Sequence, residues 1–302
     1  YENPLRQALD VNINNKISRV IASAYAKIDF LPGFNFRTQV SGDIRNELAN
    51  WFNPPNPNAF EGTDWRGQAS QRNFYQRVWT LENYFTYELS INKNNFTFLA
   101  GNTVQETMYE SSFVLVSGIA SDKIQTLNAG TDVDVAISDK QAYGINSYFG
   151  RIDYNYKGKY LILLNARYDG SSRFGKGNRY GFFPSASVGW RITDESFMES
   201  VRFLDHWKLR LSYGITGNQE ISNYASRGLM SIGTGTNIGG NYTGLTGSVI
   251  SYLPSPNLKW EETKQFNIGT DVSLFNSRLS FTLDYYIKTT NDLLFLVPIP
   301  ST

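Results

Sequence analysis

Hydrophobic and polar residues alternate along much of this chain. Residues 34–41 read FNFRTQVS, residues 266–274 read FNIGTDVSL, and residues 279–288 read LSFTLDYYIK. A period of two places successive side chains on opposite faces of a β-strand, so each segment predicts a strand with one apolar and one polar face. Each run is about ten residues long, which is the length that a tilted strand needs to cross a bilayer.

The same pattern predicts about ten strands and no domain boundary. We place the strands near residues 18–30, 34–45, 74–91, 96–104, 146–156, 160–169, 182–193, 207–216, 259–275 and 279–297. Short turns join strands in pairs at residues 31–33, 92–95, 157–159 and 276–278. Long polar loops separate the pairs at residues 46–73, 104–145 and 218–256, and a shorter loop spans 170–181. Residues 194–205 break the alternation, and Thr193-Asp194-Glu195 there is typical of a helix start, so we predict one short helix in that turn.

The connections are sorted by length. Short turns on one side and long loops on the other are typical of bacterial outer-membrane barrels. A sandwich in water has no physical reason for this sorting, because water bathes both of its ends. We therefore predict an all-β fold, namely an antiparallel transmembrane β-barrel.

Composition agrees with a wall between lipid and water. Aromatic residues make up 15% of the chain, charged residues 18%, and the formal net charge is +1. Phe is accepted by lipid, whereas Tyr and Trp suit the membrane interface. A nearly neutral chain has no electrostatic basis for binding nucleic acid, so no such partner is expected. The chain has no cysteine, which excludes disulfides and cysteine-ligated metals.

The residue pattern contains no catalytic constellation. The single histidine, His206, stands before Trp207 at a predicted strand start. A lone histidine without cysteine partners does not form a zinc site. Adjacent carboxylates such as Glu261 and Glu262 point to opposite faces of a strand. We therefore expect a protein that is not an enzyme and that uses neither a cofactor nor a metal.

Residues 146–198 carry motifs that resemble a known family. Residues 148–151 read YFGR, residues 167–175 read RYDGSSRFG, and residues 183–190 read FPSASVGW. Further matching blocks follow at residues 208–219 and 257–286, in the order in which the family has them. Together they resemble the SusC-like, or RagA-like, branch of the TonB-dependent outer-membrane transporters.

The resemblance implies active import of a nutrient across the bacterial outer membrane. The substrate, an oligosaccharide or a peptide, would bind between the barrel, a plug and a SusD-like surface lipoprotein. TonB would act through N-terminal parts that are not in this sequence. Residues 1–302 would then be part of one barrel domain, about ten strands of a larger barrel without its plug, in contact with membrane lipid. The alternatives are a passive porin or structural barrel, and a soluble carbohydrate-binding β-sandwich.

The signature residues are interpreted as architecture. Gly170 tolerates positive φ in the turn at the hairpin tip, and Arg167 and Arg173 are candidates to pair with Asp169. Phe183 and Trp190 are expected at the membrane interfaces. The full set of signature positions is Arg167, Asp169, Gly170, Ser171, Ser172, Phe183, Pro184, Gly189, Trp190 and Trp260.

The predicted loop at residues 46–73 holds the candidate binding residues. Trp51, Asp64, Trp65 and Arg66 combine indole rings with charged groups. An exposed tryptophan beside polar groups stacks on sugar rings or holds peptide side chains. The alternative interpretation is that the aromatic residues pack the loop on itself, on the barrel rim or on a partner. We name these four residues as possible contacts to the substrate or to the lid.

Overall fold

The chain is almost entirely β-strand in the computed structural model, which describes residues 9–56, 66–232 and 248–295. The strands in chain order are β1 (Asn12–Leu31), β2 (Phe34–Asn53), β3 (Gly67–Ile91), β4 (Asn94–Ile119), β5 (Asp132–Tyr156), β6 (Tyr160–Ser171), β7 (Tyr180–Arg191), β8 (Leu204–Asn218), β9 (Leu229–Ile232), β10 (Ser248–Tyr252), β11 (Glu261–Leu274) and β12 (Leu279–Asn291). Within those ranges, no helix has the length and apolar character needed to span a membrane.

Ten of the strands form one sheet, and their spatial order follows their order in the chain. The order is β1-β2-β3-β4-β5-β6-β7-β8-β11-β12, while β9 and β10 form a separate two-stranded sheet. Strands joined by two-residue turns, as at Pro32–Gly33, run antiparallel because the chain has no length to cross over. The registers from β5 to β8 and from β8 through β11 to β12 are antiparallel. The predicted all-β antiparallel sheet of about ten strands is confirmed.

The long loops that we predicted are shorter in the structure, because the strands extend into them. β2 continues to Asn53 and β3 begins at Gly67, so much of 46–73 is strand. Likewise β4 runs to Ile119 and β5 begins at Asp132. Backbone hydrogen bonds hold a strand regardless of its side chains, and a strand with polar residues on both faces shows no period of two. The pattern therefore detected only the part of each strand that has an apolar face.

Two other predicted connections also differ from the structure. The single short helix expected in residues 194–205 is wrong, since the chain instead makes two 3-10 turns, Ile192–Asp194 and Ser196–Met198. The predicted loop at 218–256 contains the hairpin of β9 and β10, with residues 233–247 outside the described residues. The shorter loop at 170–181 is confirmed as the connection from β6 to β7.

The chain divides into two compact units. The first comprises Tyr1–Ala24, Val40–Thr80 and Glu106–Ala142. Its core consists of the buried residues Phe52, Ala69, Val116 and Ile119, with Val114, Leu127 and Ala129 packed against them. Gly118 lies beside this core with a φ of +83°, a left-handed conformation that favours glycine.

The second unit comprises Tyr25–Gln39, Leu81–Gln105 and Tyr143–Thr302, and one face of its sheet is apolar. One row across six strands consists of Ile152, Leu164, Ala186, Tyr213, Phe266 and Ile287. The next row consists of Tyr154, Ile162, Val188, Leu211, Ile268 and Tyr285. These side chains are not covered, since Val188 is 48% exposed and Leu211 45%. A continuous apolar surface of this kind is unfavourable in water and suits the acyl chains of a bilayer.

The opposite face of the same strands is polar. A row there consists of Arg151, Asn165, Ser185, Gly214, Gln265 and Lys288. Nearby, the Arg210 guanidinium donates to both carboxylate oxygens of Asp271 at 2.8 and 3.0 Å, and to Asp284 at 3.2 Å. These three charges are thus held in ion pairs across β8, β11 and β12. The alternation in the sequence becomes one apolar and one polar surface because the register keeps like rows aligned.

Candidate functional site: an arginine and aromatic surface

The structure describes two of the four candidate binding residues, Trp51 and Arg66. Trp51 lies in β2 beside the buried Phe52, and alternation places the Trp51 indole on the face of β2 opposite Phe52. Asp64 and Trp65 lie outside the described residues. Arg66 donates from one guanidinium nitrogen to the Thr131 hydroxyl and the Asp132 carboxylate, each at 3.3 Å. Arg66 is therefore tied to the start of β5, and Trp51 belongs to a strand rather than to a loop.

At the signature hairpin, one predicted ion pair is confirmed and the other is wrong. Arg167 donates through Nε and Nη2 to the two oxygens of Asp169 at 3.2 and 2.9 Å. Arg173 does not pair with Asp169. Its Nε donates to the Asn223 side chain at 2.9 Å, and its guanidinium lies 3.9 Å from the centre of the Tyr143 ring. Arg173 thus connects the hairpin to the segment after β8, a contact that sequence spacing does not reveal.

Glycine and serine at the hairpin tip are required for close packing. Gly170 does not adopt the positive φ that it would tolerate, and glycine is needed there because a Cβ would overlap the Tyr180 ring. The Ser171 side chain is buried, and its hydroxyl accepts a hydrogen bond from the Arg173 amide at 3.2 Å. The Ser172 hydroxyl accepts one from the Gly144 amide at 2.9 Å. These contacts support the interpretation of the tip as architecture.

Phe183 is part of a buried aromatic cluster and does not lie at a membrane interface as predicted. Its ring meets the Trp260 indole edge-on at a centroid distance of 5.2 Å, and Phe174 lies 5.2 Å from the same indole. The Trp260 Nε1 group donates to the Arg179 carbonyl at 2.8 Å. Phe183 follows the exposed Phe182, so alternation places the two rings on opposite faces of β7. Pro184 lies on the same face as Phe182.

Trp190 is fixed by a carboxylate in the turn after β7. The indole Nε1 donates to Glu195 at 3.0 Å, the Tyr160 hydroxyl donates at 2.8 Å, and Lys159 lies 3.4 Å from the same carboxylate. The hydrogen bonds from Trp190 and Tyr160 hold the pKa of Glu195 below its ordinary value and outweigh desolvation, which acts in the opposite direction. Gly189 precedes Trp190, and a Cβ there would lie 3.2 Å from the Lys208 side chain.

Sequence reasoning missed a set of arginine and aromatic side chains that share one face of the first unit. The Arg45 guanidinium lies 5.9 Å from the Phe74 ring centre, and Phe74 lies 6.1 Å from the Tyr109 ring. The Arg72 guanidinium lies 5.4 Å from the centre of the Phe113 ring. Arg72 and Phe74 are two residues apart on β3, so they point to the same side of the sheet. We call these five residues the arginine–aromatic surface.

The electrostatics of the arginine–aromatic surface are uneven. Arg45 pairs with Glu47 on β2 at 2.6 Å, and Arg19 of β1 pairs with Asp43 of β2 at 2.6 Å. Arg72 is exposed, and no carboxylate among residues 9–56, 66–232 and 248–295 lies within ion-pair distance of it. The Arg45 Nε group is buried and has no hydrogen-bond acceptor within the same ranges. The surface therefore carries two arginines whose donors are not all satisfied by the described residues: the exposed Arg72 and the buried Nε group of Arg45.

A signal for this surface was present in the sequence. Residues 72–74 read RNF, and Tyr109 and Phe113 stand four apart in a segment that we assigned to a loop. Only once that segment is a strand do Tyr109 and Phe113 share a face. In the part of the chain that the structure describes, no group of three or more acidic, His or Cys side chains converges as a metal site would require.

The chain is similar to known transport proteins over nearly all of its length. The family described as TonB dependent receptor-like, beta-barrel matches residues 4–302. A TonB-dependent receptor of Formosa agariphila is 38% identical over 302 residues, covering 99% of this chain and 28% of the relative. The TonB-dependent receptor SusC of Bacteroides thetaiotaomicron is 31% identical over 281 residues, covering 91% of this chain and 27% of the relative.

A solved structure of a related protein is also similar to the chain. The structure of the RagAB peptide transporter superposes with a TM-score of 0.88 at 30% identity, covering 97% of this chain and 32% of that one. The chain thus spans less than a third of the length of the relatives that it matches.

Proposed function

The chain belongs to the TonB dependent receptor-like β-barrel family, and from this premise we propose that it forms part of the wall of an active nutrient importer in the bacterial outer membrane. TonB-dependent receptors are transporters and not enzymes. The related SusC is also named a TonB-dependent receptor.

The observation that carries the proposal is the apolar face of the second unit. Six successive strands align apolar residues in consecutive rows, while the opposite rows are polar or ion-paired. Exposed residues in these rows, such as Leu164, Leu211 and Ile268, have no protein covering. A sheet in water would bury this face against a second layer. A barrel wall has lipid on one side and an aqueous lumen on the other, which accounts for both faces at once.

The proposed substrate is an oligosaccharide or a peptide, and the proposed partners are a SusD-like surface lipoprotein and TonB. The resemblance to SusC and to the RagAB peptide transporter supports these assignments. TonB would engage segments outside these residues. Energy would come from the TonB system, so the barrel itself needs no cofactor.

We keep Trp51, Asp64, Trp65 and Arg66 as proposed contacts to substrate or lid. Trp51 is half-buried, and its indole lies on the face of β2 opposite the core residue Phe52. Arg66 lies at the start of β3, next to the part of the chain that carries Asp64 and Trp65. The signature residues at 167–190 and Trp260 support the wall and would not touch the substrate.

The experiment is extraction of the native protein from its membrane in mild detergent, followed by intact mass measurement and identification of co-purifying proteins. The proposal expects a species much heavier than 34.2 kDa, with a lipoprotein attached. Uptake by whole cells should stop when an uncoupler removes the proton gradient. Recovery without detergent would contradict the membrane assignment. Uptake that persists without the gradient would indicate a passive porin instead.

A further inference from the structure

The arginine–aromatic surface combines guanidinium groups with aromatic rings. This combination suits a ligand that carries an anionic group beside an apolar one. Arg72 is held with its guanidinium 5.4 Å from the Phe113 ring centre, within the range of a cation–π contact. Stacking on a ring occupies a face of the guanidinium and leaves its N–H edge available. That edge is a planar fork of donors that matches a carboxylate in a bidentate arrangement.

Neighbouring acidic residues do not satisfy Arg72. Asp43 is held by Arg19 through two hydrogen bonds, of 2.9 and 2.6 Å, and Glu47 by Arg45 at 2.6 Å. The two carboxylates of β2 are thus each engaged by another arginine. Surface arginines without an acidic neighbour are common, so exposure alone would carry no conclusion. Here the guanidinium also lies over the Phe113 ring, and this contact reduces the side-chain entropy lost when Arg72 binds.

A second donor, on Arg45, also supports a ligand at this surface. Arg45 donates to Glu47 through Nη2, while its Nε group is buried without an acceptor among the described residues. A buried donor without a partner is costly in a folded protein and is often explained by a ligand or a bound water. Phe74 lies next to Arg45 and is two residues from Arg72 on the same face of β3, so an apolar ring separates the two cations.

We propose that the arginine–aromatic surface binds a carboxylate of the imported substrate, with Arg72 as the donor and the Phe74, Tyr109 and Phe113 rings contacting the adjoining apolar or sugar-ring surface. This inference rests on the proposed import function and narrows its substrate class to acidic molecules. The carboxylate has two possible sources, which are an acidic peptide and an oligosaccharide that contains uronic acid. Both present the same group to the guanidinium.

The test uses the full transporter purified with the proteins that accompany it. Binding is measured by calorimetry for two matched pairs of probes: an Ala-Ala-Glu peptide and its fully amidated form, and a galacturonate oligomer and its methyl ester. We expect at least one acidic probe to bind about tenfold or more tightly than its neutral match, as a charged hydrogen bond implies. The pair that shows the preference identifies the source. The preference should weaken as salt is raised.

Variants locate the effect. Arg72→Gln should remove the preference for the acidic probe, and Arg72→Lys should retain only part of it because the bidentate fork is lost. Arg77→Gln is the matched control. Arg77 lies on the same strand, an odd number of residues away, and its guanidinium reaches Met108 on the opposite face. It should leave all four affinities unchanged.

Three results would overturn the inference. They are equal affinities within both probe pairs, equal losses in Arg72→Gln and Arg77→Gln, and the failure of wild-type protein to retain either acidic probe. A transporter that still co-purifies with a lipoprotein and imports neutral molecules would keep the proposed function and lose only this site. A protein recovered without detergent would lose the proposed function whatever the probes do.

Discussion

Two aromatic clusters of this protein are built from similar residues and have opposite characters. Phe174, Phe183 and Trp260 of the second unit are 1%, 7% and 7% exposed. Phe74, Tyr109 and Phe113 of the first unit are only half-buried, and arginines lie over two of these rings. One cluster is sealed and neutral, with its single polar atom bonded to a carbonyl. The other is open and cationic.

The difference shows what decides the role of an aromatic residue. In the buried cluster the rings contact each other, and glycines at positions 181 and 217 leave the space that the Phe183 ring fills. In the open cluster guanidinium groups lie over two of the rings, and Arg72 is exposed. Aromatic rings that pack on each other contribute stability, whereas rings beside an unpaired cation are suited to binding a ligand. Substitutions should therefore affect stability in one cluster and binding in the other.

The largest expected effect is on the buried cluster. Trp260→Ala should lower the free energy of unfolding by about 3 to 5 kcal/mol, because it leaves a cavity and removes the hydrogen bond to the Arg179 carbonyl. Urea unfolding in lipid vesicles, followed by circular dichroism, measures it. Trp260→Phe, which keeps a ring, should lose less. A loss below about 1 kcal/mol for the alanine variant would contradict the structural role of the cluster.

A smaller loss is expected where a methyl group is added beside the cluster. Gly217→Ala places a Cβ against the Phe183 ring, so we expect a cost of about 1 to 3 kcal/mol from overpacking. Gly177→Ala is the control, since a Cβ at Gly177 meets no atom within 4 Å. The same unfolding assay compares them. If Gly217→Ala and Gly177→Ala unfold at the same urea concentration, the packing around Phe183 is not as described.

The open cluster should contribute little to stability. Arg72→Gln removes one cation–π contact at an exposed site, so the expected loss is below about 1 kcal/mol. Unfolding midpoints of this variant and of Arg77→Gln should agree closely. A loss as large as that of Trp260→Ala would mean that the arginine–aromatic surface is structural after all, and the contrast between the clusters would disappear.

The smallest effect should be present at neutral pH and lost in acid, at a third aromatic site. Glu195 accepts hydrogen bonds from Trp190 and Tyr160, and its pKa is lowered from the ordinary value of 4.5. A carboxyl with a lowered folded-state pKa stabilises the fold above its unfolded value, and this contribution is lost as pH falls through the folded-state value. Unfolding midpoints of wild type should therefore approach those of Glu195→Gln as pH is lowered below 4.5. A gap between the two proteins that stays constant into strong acid would argue against this assignment.

The period of two was sufficient to predict the strands that have one apolar face, and it failed to predict strands that are polar on both faces. Residues 266–274 and 279–288 alternate in sequence and pair residue by residue in β11 and β12. Residues 105–119 carry mixed polar residues and were assigned to a loop, yet they complete β4. Backbone pairing with neighbouring strands extends β4. This pairing does not show in the hydrophobic pattern of β4 itself, because the partner residues lie elsewhere in the sequence. The same error concealed Tyr109 and Phe113.

Local contacts at the signature hairpin could be predicted only in part. Arg167 and Asp169 are two residues apart on one face of a strand, so their ion pair follows from period two alone. Arg173 also lies near Asp169 in sequence, but it bonds to Asn223, fifty residues away along the chain. The burial of Phe183 depends on Trp260, which lies just before β11 and is held beside Phe183 by the pairing of β8 with β11.

The sequence by itself determined the all-β class, the two-faced strands and the family, because alternation and short motifs are properties of neighbouring residues. The tertiary structure alone decided the strand lengths, the partner of Arg173, the burial of Phe183 and the grouping of Arg45, Arg72, Phe74, Tyr109 and Phe113. Each of these depends on register between strands that are remote in the chain. Register is set by backbone pairing over the whole sheet, and no single segment encodes it.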